Sequence, residues 1–292
     1  MTIAPPSAST TPSAASDEAA EVSLDGTAPG PSAVRRLARA SGRHLGGFLL
    51  PLIVVIVWEI AARTGMVNTL LLPAPSRVFA TLGEVALDGS LWVNLGYSVR
   101  RWIIGFAFGG GFGLLLGALN GLSLRSENLT DTTVQMLRTV PFMGLTPLLV
   151  MWFGLGETPK IILIAIASFF PVYINTLAGV RNVNKGLVEV GQSFELSRIE
   201  LLYRVILPAA LPEILTGVRY SLGIAWLALV IAELMAAESG IGFWLLQGRE
   251  AVRVDIVLAS LVVFSVAGKL MDAALRLIES RVLHWRNSFA GS

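Results

Sequence analysis

The chain has 292 residues, of which 54% are hydrophobic and only 14% charged, and its mean hydropathy is +0.69. A soluble domain of that length needs more charge to cover its surface, and long apolar stretches recur between short polar links, so the chain reads as membrane-spanning, with an all-α fold expected. The net charge of +2 offers no nucleic-acid-binding patch, and the absence of cysteine excludes disulfides, thiolate metal sites and cysteine nucleophiles.

Residues 1–33 are rich in Ala, Ser, Thr, Pro and Gly without apolar periodicity, and read as a disordered tail. No basic start leads directly into an apolar core, so no cleavable signal peptide is expected. A basic segment, 34–45, carries Arg35, Arg36, Arg39 and Arg43. A transmembrane domain over 46–287 follows, with about six spans expected. These run Gly46–Ala62, Trp102–Leu122, Val134–Phe153, Ile161–Val180, Leu215–Ala236 and Ile256–Ile278. A less apolar stretch covers 63–98, a polar helical segment covers 181–211, and 288–292 form a short tail. His44 and His284 flank the apolar region, so neither metal nor His-based catalysis is expected.

Lys and Arg distribution gives the orientation. With the N-terminus in the cytoplasm, twelve basic residues fall inside (Arg35, Arg36, Arg39, Arg43, Arg125, Arg181, Lys185, Arg198, Arg204, Arg276, Arg281, Arg286). Seven fall outside (Arg63, Arg77, Arg100, Arg101, Lys160, Arg249, Arg253). The excess puts both termini and the 181–211 segment in the cytoplasm of a multi-pass cell-membrane protein.

The second span carries Gly105, Gly109, Gly113, Gly117 and Gly121 at intervals of four. Such a ladder winds slowly across one helix side and admits a neighbouring backbone, which is how helices hold together in lipid. Its reading is helix packing.

The 181–211 segment contains Glu189-Val190-Gly191-Gln192-Ser193-Phe194-Glu195-Leu196-Ser197 and ends on Val205-Ile206-Leu207-Pro208. One short helix ends near Glu195, and Ser197 with Glu200 has capping-box spacing for a second. Pro208 is expected to stop that second helix, and Pro212 suits the first turn of the fifth span.

This segment resembles the EAA loop of ABC importer permeases: Glu-Ala-Ala, three residues, Gly, nine residues, then Ile-x-Leu-Pro. Glu189, Val205, Leu207 and Pro208 match; Val190-Gly191 replaces the paired alanines, and Glu195 stands where the family has its turn glycine. Glu in a left-handed turn costs about 1 kcal/mol. Leu71–Ser76, Ser98–Arg101, Trp152–Glu157, Asn175–Arg181, Ala232–Met235 and Ser239–Gly242 extend the resemblance, over about residues 45–287, to the sulfonate, taurine and nitrate branch.

The resemblance implies a type I ABC importer permease fold whose coupling loop lies between helices 4 and 5. It implies a homodimer, two cytoplasmic ATPase subunits docked on Glu189, Val190, Gly191, Glu195, Ser197, Leu207 and Pro208, and an extracytoplasmic binding protein. Gly191 is expected to lie close to the ATPase surface. ATP and Mg would be used by the partner ATPase; this chain lacks a phosphate-binding loop and is expected to bind no cofactor and catalyse no reaction. Aliphatic sulfonates come first as cargo, with taurine, nitrate or another small solute as alternatives.

Ionisable and polar groups in spans are candidates for the translocation pathway. Arg138 could attract an anion, although snorkelling to the cytoplasmic interface is the plainer reading. Pro141 suggests a kink lining a cavity. Asn175 and Thr176 could bond an oxyanion but more simply bond neighbouring helices. Glu233 would repel an anion, which favours gating or helix pairing. A secondary transporter would favour inverted repeats, and a membrane enzyme would need a catalytic constellation; neither signature is apparent.

Overall fold

A computed structural model describes residues 49–283. The expected tails, the 34–45 basic segment, both histidines and the opening of the first expected span lie outside these residues. Eleven α-helices occur among the described residues. They are α1 (49–63), α2 (Pro75–Leu87), α3 (Ser90–Leu122), α4 (Leu124–Arg138), α5 (Phe142–Phe153) and α6 (Glu157–Arg181). After these come α7 (Lys185–Ser193), α8 (Arg198–Leu201), α9 (Leu207–Ala236), α10 (Ile241–Glu250) and α11 (Val254–Val282).

Local chemistry sets the ends. Pro75 opens α2, where its missing N–H is no loss. The Glu59 carboxylate of α1 accepts the Ser76 N–H at 3.0 Å, supplying the cap that Ala74 cannot. Ser123 caps α4, and Gly154 ends α5 at φ +77°, a conformation glycine adopts freely.

Four helices among the described residues are long and apolar enough to cross a membrane: Ser90–Leu122, Glu157–Arg181, Arg198–Met235 and Val254–Val282. The expected third span is instead a broken pair, with α4 and α5 meeting at 95°. Pro141 is the cause. Val140 before it is steered from helical geometry, so α4 ends at Arg138, and Pro141 itself becomes the extended N-cap of α5. From Leu124 onward the residues between the second and third expected spans are helical too, as part of α4.

A second correction concerns Pro208. It does not stop a helix: α8 continues through a π turn, Leu202–Ile206, into α9. The Leu207 N–H bonds the Leu202 carbonyl five residues back, and the wider turn absorbs the bond that Pro208 cannot make.

The packing centre is α3 on α6, followed by α6 on α9. The glycine ladder forms the first of these contacts. A Cβ at Gly109 would lie 2.0 Å from the Ala165 carbonyl oxygen, at Gly113 2.6 Å from that of Phe169, and at Gly117 2.7 Å from that of Tyr173. At the two ends, Gly105 meets Ile164 and Gly121 meets Val180, each at 2.6 Å. The obstacles at the three central steps are backbone atoms, so even alanine cannot fit there without moving α6. Around this seam, Ile164, Ala225, Trp226, Leu229, Ile241 and Phe264 form the largest apolar core.

Gly111, by contrast, has open space where a Cβ would be. Gly113→Leu should therefore lower the yield of monodisperse detergent-extracted protein severely, since overpacking of this kind costs about 1–3 kcal/mol or more. Gly111→Leu should leave the yield near wild type in the same size-exclusion measurement.

Candidate functional site

Three polar assemblies stand out against the apolar helices. The first lies where the start of α6 and the last turn of α9 meet α3. Arg101 is 1% exposed, and Glu233 is fully buried. Arg101 Nη1 donates to Glu233 Oε1 at 2.7 Å and to the Ser239 carbonyl at 2.6 Å, while Nε and Nη2 grip Glu157 at 2.6 and 2.7 Å. Glu233 also accepts from Ser98 Oγ at 2.8 Å and from the Gly242 N–H at 2.8 Å. The Ile241 N–H donates in turn to Ser98 Oγ, and the Gly240 N–H to Asn94. Gly240 is required here: at φ +108° it passes so close that a Cβ would lie 2.3 Å from Glu233 Oε1.

This network pins three spans and the loop before α10 with every charge paired. Glu233 thus ties α9 to α3 and to the start of α10. Its partner Arg101 escapes a sequence reading that starts the span at Trp102. The helix in fact begins at Ser90, which puts Arg101 inside it. The available signal was that four of the quoted motifs, Ser98–Arg101, Trp152–Glu157, Ala232–Met235 and Ser239–Gly242, each contribute a residue to this one network.

The second assembly is a cavity of about 370 Å³ at the α4–α5 break. Arg138, the last residue of α4, and Phe142, the first of α5, line it with Phe170, Pro171 and Asn175 of α6 and Tyr220 and Ile224 of α9. Arg138 and Asn175 therefore come together, with Pro141 at the break itself. Thr176 does not join them; it is buried against Gly117 of the ladder. Arg138 has no carboxylate partner among the described residues, unlike Arg219, which pairs with Asp272 at 3.4 Å and reaches Glu279 at 3.9 Å across α9 and α11. Arg219 and Asp272 are half-exposed ions within the candidate spans that the sequence reading passed over.

The third assembly is the 181–211 segment. Asn184 caps α7 by accepting the Gly186 N–H. At its other end the Glu195 N–H bonds the Gln192 carbonyl and the Leu196 N–H bonds the Gly191 carbonyl, the double bond pattern of a Schellman turn. Glu195 occupies its left-handed position at φ +56°. Ser197 and Glu200 form a reciprocal capping box that starts α8.

Gly191 does not lie where the sequence reading put it. It is buried inside the loop, where a Cβ would come 2.6 Å from Leu201 Cδ1, so it sets the packing of α7 on α8 and the π turn. Leu207 likewise packs inward, against the Val180, Ala210 and Ile214 cluster. The outward face carries Glu189, Val190 at 55% exposure and Phe194 at 76%. Ser197 and Pro208 are also exposed.

Residues 109–284 match the binding-protein-dependent transport system inner membrane component family. The chain is 45% identical over 245 residues to a Bacillus subtilis protein named as an aliphatic sulfonates transport permease, SsuC, covering 84% of this chain and 89% of that one. It is 38% identical to the taurine transport system permease protein TauC of Escherichia coli, covering 80% of this chain and 86% of that one. A crystal structure of an amino acid ABC transporter aligns with a TM-score of 0.57 at 18% identity, covering 68% of this chain and 97% of that one, a likeness of fold.

The network around Arg101 and Glu233 predicts unequal losses. Arg101→Met strands the buried Glu233 charge and should cost about 3–5 kcal/mol, whereas Glu157→Gln, at a half-exposed carboxylate, should cost about 1 kcal/mol or less. Thermal unfolding of the solubilised protein checks this order.

Proposed function

The chain belongs to the binding-protein-dependent transport inner membrane component family, as a membrane-spanning permease subunit of an ABC importer, and from that membership we propose that its cargo is aliphatic sulfonates. Two copies form the pathway, two ATPase subunits dock beneath them, and an extracytoplasmic binding protein delivers the anion. Both termini lie in the cytoplasm. ATP and Mg are consumed by the ATPase partner, and this chain binds neither.

The observation that carries the docking reading is the outward face of the 181–211 segment. Val190 and Phe194 project from the polar segment between the candidate spans Glu157–Arg181 and Arg198–Met235, uncovered by the rest of the chain. An exposed apolar pair on a rigid, capped helix is suited to a protein partner. The rigidity has a mechanical use. The capping box, the π turn and α9 form one continuous helical path, Arg198–Met235, from the loop to the network around Arg101 and Glu233. A push on α7 passes through Gly191 and Leu201 into that path, so closure of the ATPases can tilt α9 without bending the loop.

The sulfonate assignment rests on the similarity to the Bacillus subtilis permease, and the docking assignment on the loop; each has its own test. Phe194→Asp should leave membrane insertion intact, because the residue is exposed, and should remove about 2 kcal/mol or more of docking energy. Loss of ATPase from the detergent-extracted complex, with loss of alkanesulfonate uptake, is the expected result. Glu195→Gly should keep uptake, since it relieves the left-handed backbone. Retained ATPase in Phe194→Asp would refute the docking face, and a complex that imports no alkanesulfonate would refute the cargo.

A further inference from the structure

The cavity at the α4–α5 break combines four properties. Its wall includes a guanidinium, Arg138, with no carboxylate partner among the described residues. Its other polar groups are free to bond: Asn175 Nδ2 uses one hydrogen on the Pro171 carbonyl at 2.8 Å and keeps the second, and the Tyr220 hydroxyl has no partner among the described residues. The rest of its wall is apolar, from Val140, Phe142, Ile166, Phe170, Ile174 and Ile224. No carboxylate lines it.

Position adds to this. Pro171 and Ile224 lie near the middle of α6 and α9, so the cavity sits deep in the bilayer, where an uncompensated cation is costly and marks an ion or substrate route. Phe142 is the first residue of α5, so the positive end of a twelve-residue helix dipole also faces the cavity. Half-helices broken at membrane depth are a recurrent way to hold an anionic group. The volume of about 370 Å³ lies within the usual small-molecule range of about 300–1,000 Å³.

Resting on the reading of this chain as a sulfonate importer, we infer that this cavity is an intramembrane site for an alkanesulfonate, with Arg138, Asn175 and Tyr220 facing the sulfonate oxygens and the apolar wall taking the alkyl chain. The same wall disfavours taurine. Its ammonium group would have to be desolvated with no carboxylate to receive it, which costs several kilocalories per mole for an unpaired ion. Nitrate could meet Arg138 but would leave the apolar wall unused. The site thus selects, within the pathway, for one negative charge joined to a short apolar chain.

The chain has no cysteine, so Ile224→Cys creates a single reporter in the cavity wall. In the complete complex, reconstituted in liposomes with ATP and binding protein, its modification is followed with two methanethiosulfonates, one bearing a sulfonate and one a trimethylammonium group. The ratio of anionic to cationic rates should fall about tenfold or more when Arg138→Gln is added, and Arg138→Lys should restore most of it. Butanesulfonate should slow modification more than taurine at equal concentration. An unchanged ratio in Arg138→Gln, no reaction with either reagent during turnover, or equal protection by taurine would overturn the site. Uptake of butanesulfonate by the wild-type complex is measured beside it. Failure of uptake with an Arg138-dependent ratio would sink the cargo reading and leave an anion site standing; normal uptake with an Arg138-independent ratio would do the reverse.

Discussion

A polar group at bilayer depth has only the protein to bond with, and most of this architecture follows from that constraint. Ser168, Ser260 and Thr216 return their hydroxyls to carbonyls of their own helices. Asn120, buried in α3, donates to Thr130 and Tyr173 and accepts from Ser126, tying the C-terminal parts of α3 and α6 to α4. Arg101 and Glu233 do the same at the opposite end of the α3–α6 seam. Between these polar clamps, α3 and α6 meet backbone to backbone along the glycine ladder. The seam is therefore close and fastened at both ends.

Against that rule Arg138 is an anomaly. It lines the cavity beside α6 and α9 with no carboxylate partner among the described residues, at the break between α4 and α5. The break and the bare charge have a common origin in Pro141, which ends α4 at Arg138 and begins α5 at Phe142. Tyr220 and Ile224 of α9 line this cavity, while Thr216 and Arg219 of the same helix face a second open region with Asp272 and Glu279. A half-exposed group of ions is poorly suited to lipid, and it suits a water-lined surface or a second copy. The α9 helix thus has one side on the fixed seam and another on the open, charged side.

The largely exposed 181–211 loop follows a different logic. Water is available there, so its turns are built from hydrogen-bonded caps, and its strain is local. Glu195 holds a left-handed backbone because the two carbonyls of Gln192 and Gly191 are satisfied only if the chain reverses there. Gly191 gives α7 its seat on Leu201, which leaves Val190 and Phe194 facing out. A small residue in such a loop serves internal packing, and the bulky apolar ones serve the contact.

How much of this was legible in the chain divides along physical lines. Composition and hydropathy fixed the membrane class, the long spans at α6, α9 and α11, the ladder and the capping box, because each depends on the spacing of residues within one element. Glu195 was legible as a turn residue for the same reason. The bend between α4 and α5 was only half legible: Pro141 announced a kink, but a proline states neither its angle nor what packs in the gap. The continuity of α8 into α9 through Pro208 was misread, since a π turn depends on neighbours that hold the wider winding. Which arginine is locked and which is bare could not be read at all. Arg101 and Arg138 both stand beside apolar runs. Only the approach of Glu233, Glu157 and Ser239, more than fifty residues away in sequence, neutralises one and leaves the other to meet a ligand.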